Sequence, residues 1–431
     1  MKNLLKNLFY FLIFIPLAAQ AQESFASYSQ QISTKDYEGH HFKLQANIRA
    51  EIEDDSALVG LLVRIDKHKG FGFMQEILVR KSDWKPYTIE GKIDTDSYQL
   101  IIGIFCAFNG KFFIDDLILT IEMGKDSWKT VYTADFEDNK NSFTEGIESN
   151  GIRWGINNLY KADIQTGQAA TGNKCLVIEG KNIPNYGYNN KVGKYTDVNG
   201  VKLYYETYGE GQPLVILHTT NGSINDATPF IPEFAKKYKV ILFDNRGHGK
   251  SSDTNEDLTY DNMAEDIAMA LDKMGIDSAL FWGFSDGAIQ GLILAMKHPH
   301  LVKKFLAGVP NVQCDSSAIY PIILKTLAKE SKDTSIDFKV RKTYKLMLTQ
   351  PNIPFEKLSA VQCPVLVIAG DRDWVKTEHT VKVFQSIPNS QLCIIPGATH
   401  RSAWSNQKLF LLIADKFFEK PFSMPNSLDG F

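Results

Sequence analysis

Leu280-Phe281-Trp282-Gly283-Phe284-Ser285-Asp286-Gly287-Ala288 is the stretch that decides how the second half of this chain folds. The apolar run ending at Phe284 reads as a buried strand, and a helical pattern begins directly after it. Between them stands Gly-Phe-Ser-Asp-Gly, with Gly283 and Gly287 two positions either side of Ser285. A Cβ at either glycine would strike the crossing chain, so the spacing predicts a tight strand-turn-helix corner that pushes Ser285 into a strained, exposed position. The helix opening there offers free N–H groups to developing negative charge. Taken alone, the pentapeptide reads as readily as an N-cap serine on an ordinary βα turn.

The surrounding pattern separates the two readings. Strand candidates at 203–208, 214–218, 240–244, 279–284, 304–309, 365–369 and 391–395 alternate with amphipathic helices. Met263, Ile267, Leu271 and Met274 share one helical face, as do Leu409, Ile413 and Phe417. Such alternation implies a mostly parallel sheet with helices on both faces and a site beyond the carboxyl ends of its strands. Residues able to do chemistry stand at those ends. They are His218, the run Asp244-Asn245-Arg246-Gly247-His248-Gly249-Lys250-Ser251-Ser252, then Ser285, Gly370-Asp371-Arg372-Asp373 and Gly397-Ala398-Thr399-His400.

In that order, these landmarks resemble the α/β-hydrolase fold family over residues 195–420, and the domain is expected to occupy 195–431. The resemblance implies a nucleophile at Ser285, a base at His400 and a carboxylate at Asp373 that holds the imidazole. The division of labour makes chemical sense, because a serine hydroxyl attacks poorly until a base takes its proton. Asp371 is the alternative acid, and its plainer reading is a turn residue beside Gly370. Among the nine histidines, His298 and His300 are expected at the surface, His379 on an exposed helix, and His248 in a structural turn.

An oxyanion site needs two backbone N–H donors. Asp286 supplies one by position; the other is expected from Thr220, with Thr219 as the alternative. Here the chain departs from the family's usual His-Gly-Gly, reading His218-Thr219-Thr220-Asn221-Gly222-Ser223. β-Branched residues disfavour positive φ, so this loop must differ locally or a threonine hydroxyl must assist. No cofactor and no metal is expected. Residues 311–362 read as a compact lid with helical patterns at 320–331 and 338–348. Tyr320, Ile322, Ile323, Leu324, Tyr344, Met347 and Leu348 either wall an acyl pocket or pack the lid onto the core.

Residues 22–190 follow a different period. Phe42, Leu44, Ala46 and Ile48 alternate with polar residues, and further strand candidates lie at 57–65, 74–79, 87–93, 98–105 and 111–122. An antiparallel sandwich is expected, with its core at 22–123. The runs Trp84-Lys85-Pro86-Tyr87-Thr88-Ile89-Glu90-Gly91, Leu100-Ile101-Ile102-Gly103-Ile104 and Gly110-Lys111-Phe112-Phe113-Ile114-Asp115-Asp116-Leu117-Ile118-Leu119 resemble the jelly-roll, galactose-binding-like modules joined to secreted carbohydrate-active enzymes. Asp115 and Asp116 read as turn or strand-edge residues before they read as calcium ligands. Trp84, Trp128 and Trp154 read as core or capping residues before they read as sugar platforms. Residues 124–190 are harder to parse: 136–139 and 172–180 look like strands, and 182–194 like a linker.

Lys2 and Lys6, the apolar run from Leu8 to Leu17 and the ending Ala19-Gln20-Ala21 together read as a secretory signal peptide over 1–21, cleaved before Gln22. The apolar run is too short to span a bilayer and ends near Pro16, so no integral membrane segment is expected after its removal. With 23% charged residues and a formal net charge of −3, the composition gives no reason to expect nucleic acid as a partner. Five cysteines without C-x-x-C spacing argue against a metal cluster or disulfide framework. The first functional expectation is an exported serine hydrolase acting on a small carboxylic ester, an acylated glycan included, in the periplasm or outside the cell. A lactonase or cofactor-free haloperoxidase-type perhydrolase is the alternative with the same triad. A non-catalytic surface carbohydrate-binding protein is the alternative from another class.

Overall fold

The computed structural model describes residues 24–425 apart from 69–70, 126, 150–151 and 335. The signal-peptide stretch 1–21 lies outside the described residues. The chain divides into two units, one spanning Gln22–Tyr188 and the other Asn189–Phe431.

Alternation of apolar and polar residues builds the first unit. Along β2 (His41–Ile52), Phe42, Leu44, Ala46, Ile48 and Ala50 are buried while the residues between them are not. Its other strands are β1 (Phe25–Ser33), β3 (Leu58–Lys67), β4 (Phe71–Val79), β5 (Lys85–Lys92), β6 (Ser97–Ala107), β7 (Gly110–Gly124), β8 (Ser127–Ala134), β9 (Thr144–Glu145), β10 (Ile147–Ser149), β11 (Ile152–Trp154), β12 (Tyr160–Thr166) and β13 (Lys174–Gly180). They form one sheet in the order β4-β3-β6-β1-β9 and another in the order β12-β13-β7-β2-β5, with β8 also on β7 and a β10-β11 hairpin apart. Every pairing is antiparallel. The two sheets are compatible with a β-sandwich. β3 lies against β2, β5 and β7 of the second sheet, and its residues Leu58–Asp66 are buried on both faces.

Residues 136–139, expected as a strand, form a turn instead. Phe136 and Asn139 both adopt positive φ, and Asn139 N–H donates to the Phe136 carbonyl. Asn139 suits a turn better than a strand, because its short polar side chain tolerates positive φ.

The second unit contains one sheet of eight strands. These are β14 (Lys194–Val198), β15 (Val201–Tyr208), β16 (Gln212–Leu217), β17 (Tyr238–Phe243), β18 (Ala279–Phe284), β19 (Val302–Gly308), β20 (Val365–Gly370) and β21 (Ser390–Ile395), in the order β14-β15-β17-β16-β18-β19-β20-β21. The first three pair antiparallel and everything from β17 to β21 runs parallel. The helices that matter for the site are α1 (Tyr260–Lys273), α2 (Asp286–Lys297), α3 (Pro321–Glu330), α4 (Phe338–Thr349), α5 (Thr377–Ser386) and α6 (Gln407–Glu419). The expected face of α1 is buried: Met263, Ile267 and Leu271 join Phe281, Leu292 and Phe305 in a single core. On α6 the expected face is shifted: Leu409 is exposed, and Phe410, Ala414, Phe417 and Phe418 are the buried residues. α3 and α4 lie in the expected lid segment.

Candidate active site

Ser285 sits between β18 and α2 with φ 54° and ψ −116°, outside the regions an L-residue favours. The glycine spacing explains how the corner closes. A Cβ on Gly283 would lie 2.1 Å from the Gly287 carbonyl oxygen, and one on Gly287 would lie 2.2 Å from that of Leu217. Only bare backbone fits at both positions. Ser285 N–H donates to the Gly308 carbonyl at 2.8 Å, fixing the corner to the next strand.

His400 follows β21, and its Nε2 stands 3.1 Å from Ser285 Oγ. On the other side of the ring, Nδ1 stands 2.8 Å from Asp373 Oδ1. An ionised carboxylate can only accept, so the Nδ1 proton points at Asp373 and Nε2 is left to accept from the serine hydroxyl. Val375 N–H donates to the same Oδ1 at 2.9 Å, while Oδ2 is buried without a donor among the described residues. The Trp374 ring lies 4.2 Å from the imidazole and Phe284 meets its edge at 5.7 Å. The structure therefore brings Ser285, His400 and Asp373 into one hydrogen-bonded chain, an arrangement able to move a proton from a hydroxyl to a base.

Asp371 is not part of that chain. Its Oδ1 accepts from Gly397 N–H at 2.7 Å, bracing the loop that carries His400. A Cβ on Gly370 would lie 2.0 Å from the Ala398 carbonyl oxygen, so that loop and the end of β20 touch backbone to backbone.

In the loop after β16, neither threonine adopts positive φ. That conformation falls on Asn221, at φ 52°, a residue type that accepts it. The Thr219 hydroxyl donates to Asp226 Oδ2 at 2.9 Å. A Cβ on Gly222 would crowd the same oxygen at 1.9 Å and the Thr219 carbonyl oxygen at 2.9 Å. The Thr220 hydroxyl lies beside the Asp286 carboxylate without meeting strict hydrogen-bond geometry. As the first residue of α2, Asp286 has an amide N–H with no intrahelical acceptor.

Three other histidines are neutral struts. His218 is buried; Nδ1 reaches the Thr219 carbonyl at 2.8 Å and Nε2 accepts from Asn245 N–H at 3.0 Å. Desolvation lowers its pKa to about 4. His248 packs on it at 5.1 Å and is lowered to about 4 for the same reason, with His218 adding to the effect. His379, expected to start or line an exposed helix, stands in the first turn of α5 and is buried. It turns inward because its Nε2 accepts from Val312 N–H at 3.0 Å, and burial lowers it to about 4. His298 caps α2 half-buried, 3.0 Å from Glu265, and His300 is exposed.

A pocket opens at Ser285. Ile323 and Met347 of the lid line it, together with Ile319, Gln350, Tyr260, Asp286, Asn311, Trp374 and Val375. Tyr320 and Ile322 point to solvent instead. Tyr260 donates its hydroxyl to Asp286 Oδ1 at 2.8 Å. Burial pushes the Asp286 carboxyl up, with the Thr220 and Tyr260 hydroxyls and then His400 acting against that rise.

In the first unit, Asp115 and Asp116 are saturated by protein donors. Asp115 accepts from the N–H groups of Asp116, Ala170 and Thr171, and Asp116 from Asn47 and the Thr171 hydroxyl. Trp84 meets Phe113 edge-on and donates to the Gln168 carbonyl. Trp128 is 46% exposed beside a groove that includes Lys43, Gln45, Glu90 and Thr120. The Trp154 side chain lies outside what is described. Cys106 and Cys175 are buried, and all five thiols are free.

The chain is also similar in sequence to known proteins. A family model described as the alpha/beta hydrolase fold matches residues 212–318. The chain is 29% identical to serine hydrolase BPHL of Homo sapiens over 245 residues, covering 51% of this chain and 81% of that protein. It is 23% identical to 3-oxoadipate enol-lactonase 1 of Acinetobacter baylyi, over 52% of this chain and 95% of that one. Among solved structures, the enol-lactonase from Burkholderia xenovorans LB400 aligns with a TM-score of 0.48 at 18% identity, over 53% of this chain and 100% of the other. The second unit contains an α/β-hydrolase domain, and the relatives it resembles are hydrolases.

Proposed function

We propose that this chain is an exported serine hydrolase that cleaves carboxylic esters through an acyl-enzyme. Ser285 attacks the ester carbonyl, and His400 takes its proton and passes it to the leaving alcohol. Asp373 holds the ring and balances the imidazolium. The amides of Asp286 and Thr220 receive the oxyanion. Water activated by His400 then releases the acid. The observation that carries this reading is the unbroken chain from Ser285 Oγ through His400 to Asp373, at 3.1 and 2.8 Å. Ser285→Ala is expected to lower turnover of p-nitrophenyl acetate by at least about 10⁴-fold and to abolish labelling by a fluorophosphonate, with the circular dichroism spectrum unchanged. Full turnover by that variant would end the proposal.

A lactone, which is a cyclic ester, is the second reading. It is favoured by the resemblance to an enol-lactonase, and a matched panel of open-chain esters and lactones decides between them. For the first unit we propose a jelly-roll topology, because the chain passes between the two sheets at most of its connections from β1 to β7. A glycan-holding role there rests on half-exposed Trp128. It predicts that Trp128→Ala loses retention on an insoluble polysaccharide.

A further inference from the structure

The loop after β16 reads His218-Thr219-Thr220 where the resemblance would place His-Gly-Gly, and it holds its shape by other means. Gly222 N–H donates to the Thr219 carbonyl at 3.0 Å, closing a four-residue turn. A type II turn needs positive φ only at its third residue. Here that residue is Asn221, at φ 52°. The Thr219 carbonyl also accepts from His218 Nδ1 at 2.8 Å. That carbonyl and the Thr220 N–H belong to one planar trans peptide, so fixing the first aims the second the opposite way. Among the described residues the Thr220 N–H donates to no backbone or side-chain acceptor.

The Thr219 side chain adds a tether that a glycine would lack. Its hydroxyl donates to Asp226 Oδ2 at 2.9 Å. Asp226 lies in the short 3-10 turn Ile224–Ala227, and its own carbonyl accepts from Trp404 Nε1 at 3.0 Å. Trp404 follows His400 by one helical turn and meets the Phe284 ring edge-on at 4.9 Å, directly before the nucleophile. The Arg401 guanidinium, beside the base in sequence, attracts the Asp226 carboxylate from the same segment. Asp226 therefore joins the loop with the expected oxyanion donor to the segment with the base. A side chain at Gly222 would press on both ends of the tether, the Asp226 oxygen and the Thr219 carbonyl.

We propose that Thr219 and Asp226 are positioning residues for the oxyanion site: their hydrogen bond locks the Thr219–Thr220 peptide so that the Thr220 N–H faces the carbonyl that Ser285 attacks. This rests on the ester-hydrolase reading above. Neither side chain touches the reacting atoms. The tether matters once charge develops on the substrate oxygen, because a donor already aimed needs no reorganisation in the transition state. Without it the peptide rocks and the donor is misdirected for part of the time.

The test compares Thr219→Val, which swaps the hydroxyl for a methyl group of similar shape, with Thr219→Ser, which keeps the hydroxyl. With p-nitrophenyl acetate, Thr219→Val is expected to lower kcat/KM about 30-fold, less than outright removal of an oxyanion donor. Thr219→Ser is expected to recover the rate to within about threefold of the unaltered protein. Trifluoromethyl hexyl ketone adds to a serine nucleophile as an oxyanion, and its inhibition is expected to weaken by the same factor of about 30 in Thr219→Val. Methyl hexyl ketone, which binds without adding, is expected to stay within about twofold. A merely structural role would weaken both ketones alike. Should Thr219→Val fail to fold, Asp226→Ala takes its place and Asp226→Asn, which keeps an acceptor oxygen, that of Thr219→Ser. An unchanged rate without the bond, equal losses within a pair, or equal weakening of both ketones overturns the inference and leaves the ester-hydrolase reading intact. If the unaltered protein neither cleaves the ester nor takes a fluorophosphonate, both fall.

Discussion

The antiparallel-sheet unit and the hydrolase unit hold their most deeply buried charges in different ways. In the first, those charges are closed off, although one oxygen of Glu76 has no donor among the described residues. Arg64 and Asp66, both buried, meet through two hydrogen bonds at 2.7 and 2.9 Å, and Asp115 takes three backbone N–H groups. Around Ser285 the accounts stay open. One oxygen of Asp373 has no donor among the described residues, Asp286 has no basic partner, and Ser285 itself is held in a strained conformation. Buried polar groups are normally satisfied because leaving them bare costs about 1–3 kcal/mol each. Bare polar atoms also occur away from Ser285, as at the Trp282 indole N–H and the Gln290 amide among the described residues, so what sets the site apart is the strained serine joined by hydrogen bonds to a histidine and a carboxylate.

The harshest way to break this contrast is to remove the corner on which the site is mounted. Gly287→Ala would place a Cβ 2.2 Å from a backbone oxygen of β16. Neither chain can yield without moving Ser285. We expect a loss on the order of 3 kcal/mol or more, seen as a lowered urea midpoint, and turnover reduced to background. Retained activity would mean that the corner is softer than its geometry implies.

The next change leaves the scaffold in place. Asp373→Asn keeps the side chain's shape but offers His400 Nδ1 an amide in place of an anion. The wrong ring nitrogen then tends to carry the proton, and the imidazolium loses its counter-charge. A fall in kcat of about 10³–10⁴-fold is expected, with thermal midpoint nearly unchanged. A similar loss in Asp371→Asn would contradict the separation seen here, since Asp371 reaches the Gly397 amide and lies 4.0 Å from Arg372 Nε, away from the imidazole.

The same contrast explains what could be read from the amino acids beforehand. The elbow, His400 and Asp373 were legible because they stand beside strands whose apolar runs announce themselves. β18 was placed from Ala279 to Phe284 with the bounds it has. What escaped was of two kinds. Edge and outer strands such as β8, β12 and β14 carry little apolar alternation, since they are largely exposed, so nothing in Ser127–Ala134 or Lys194–Val198 distinguishes strand from loop. Tyr260, Asn311 and Gln350 reach the pocket from α1 and the lid segment, and no local pattern records that meeting. The inward turn of His379 is of the same kind. Its partner, the Val312 amide, lies far off in the chain.

His379 offers a test of intermediate size. Its pKa in the folded protein is about 4, against 6.5 unfolded, because burial disfavours the charged ring. The Lys382 charge pushes the same way and Asp315 opposes it, while Phe355 packs on the ring at 5.3 Å. Between those two pH values the unfolded chain binds the proton and the folded one does not. Stability from this group is therefore full above about pH 6.5 and is lost as pH falls toward 4, at up to about 1.4 kcal/mol per pH unit. The difference in unfolding free energy between the wild type and His379→Gln isolates the effect from other titrating groups. It should shrink by roughly 2–3 kcal/mol between pH 7 and pH 4. A difference independent of pH would show that the ring is not neutral in the fold.

The smallest effect comes from the counterpart of Gly287 in the sandwich. Gly124 ends β7 at the turn into β8; a Cβ there meets nothing within 4 Å, and its φ is not positive. Gly124→Ala therefore adds no contact and no strain, and it removes conformational freedom from the unfolded chain. It is expected to raise stability slightly, by about 0.4–1 kcal/mol, and to leave ester turnover untouched. A loss in place of that gain would mean that the hairpin needs a glycine for a reason its backbone does not display. The same substitution is thus ruinous at one glycine and mildly helpful at the other, because only the elbow presses two backbones together around a reactive side chain.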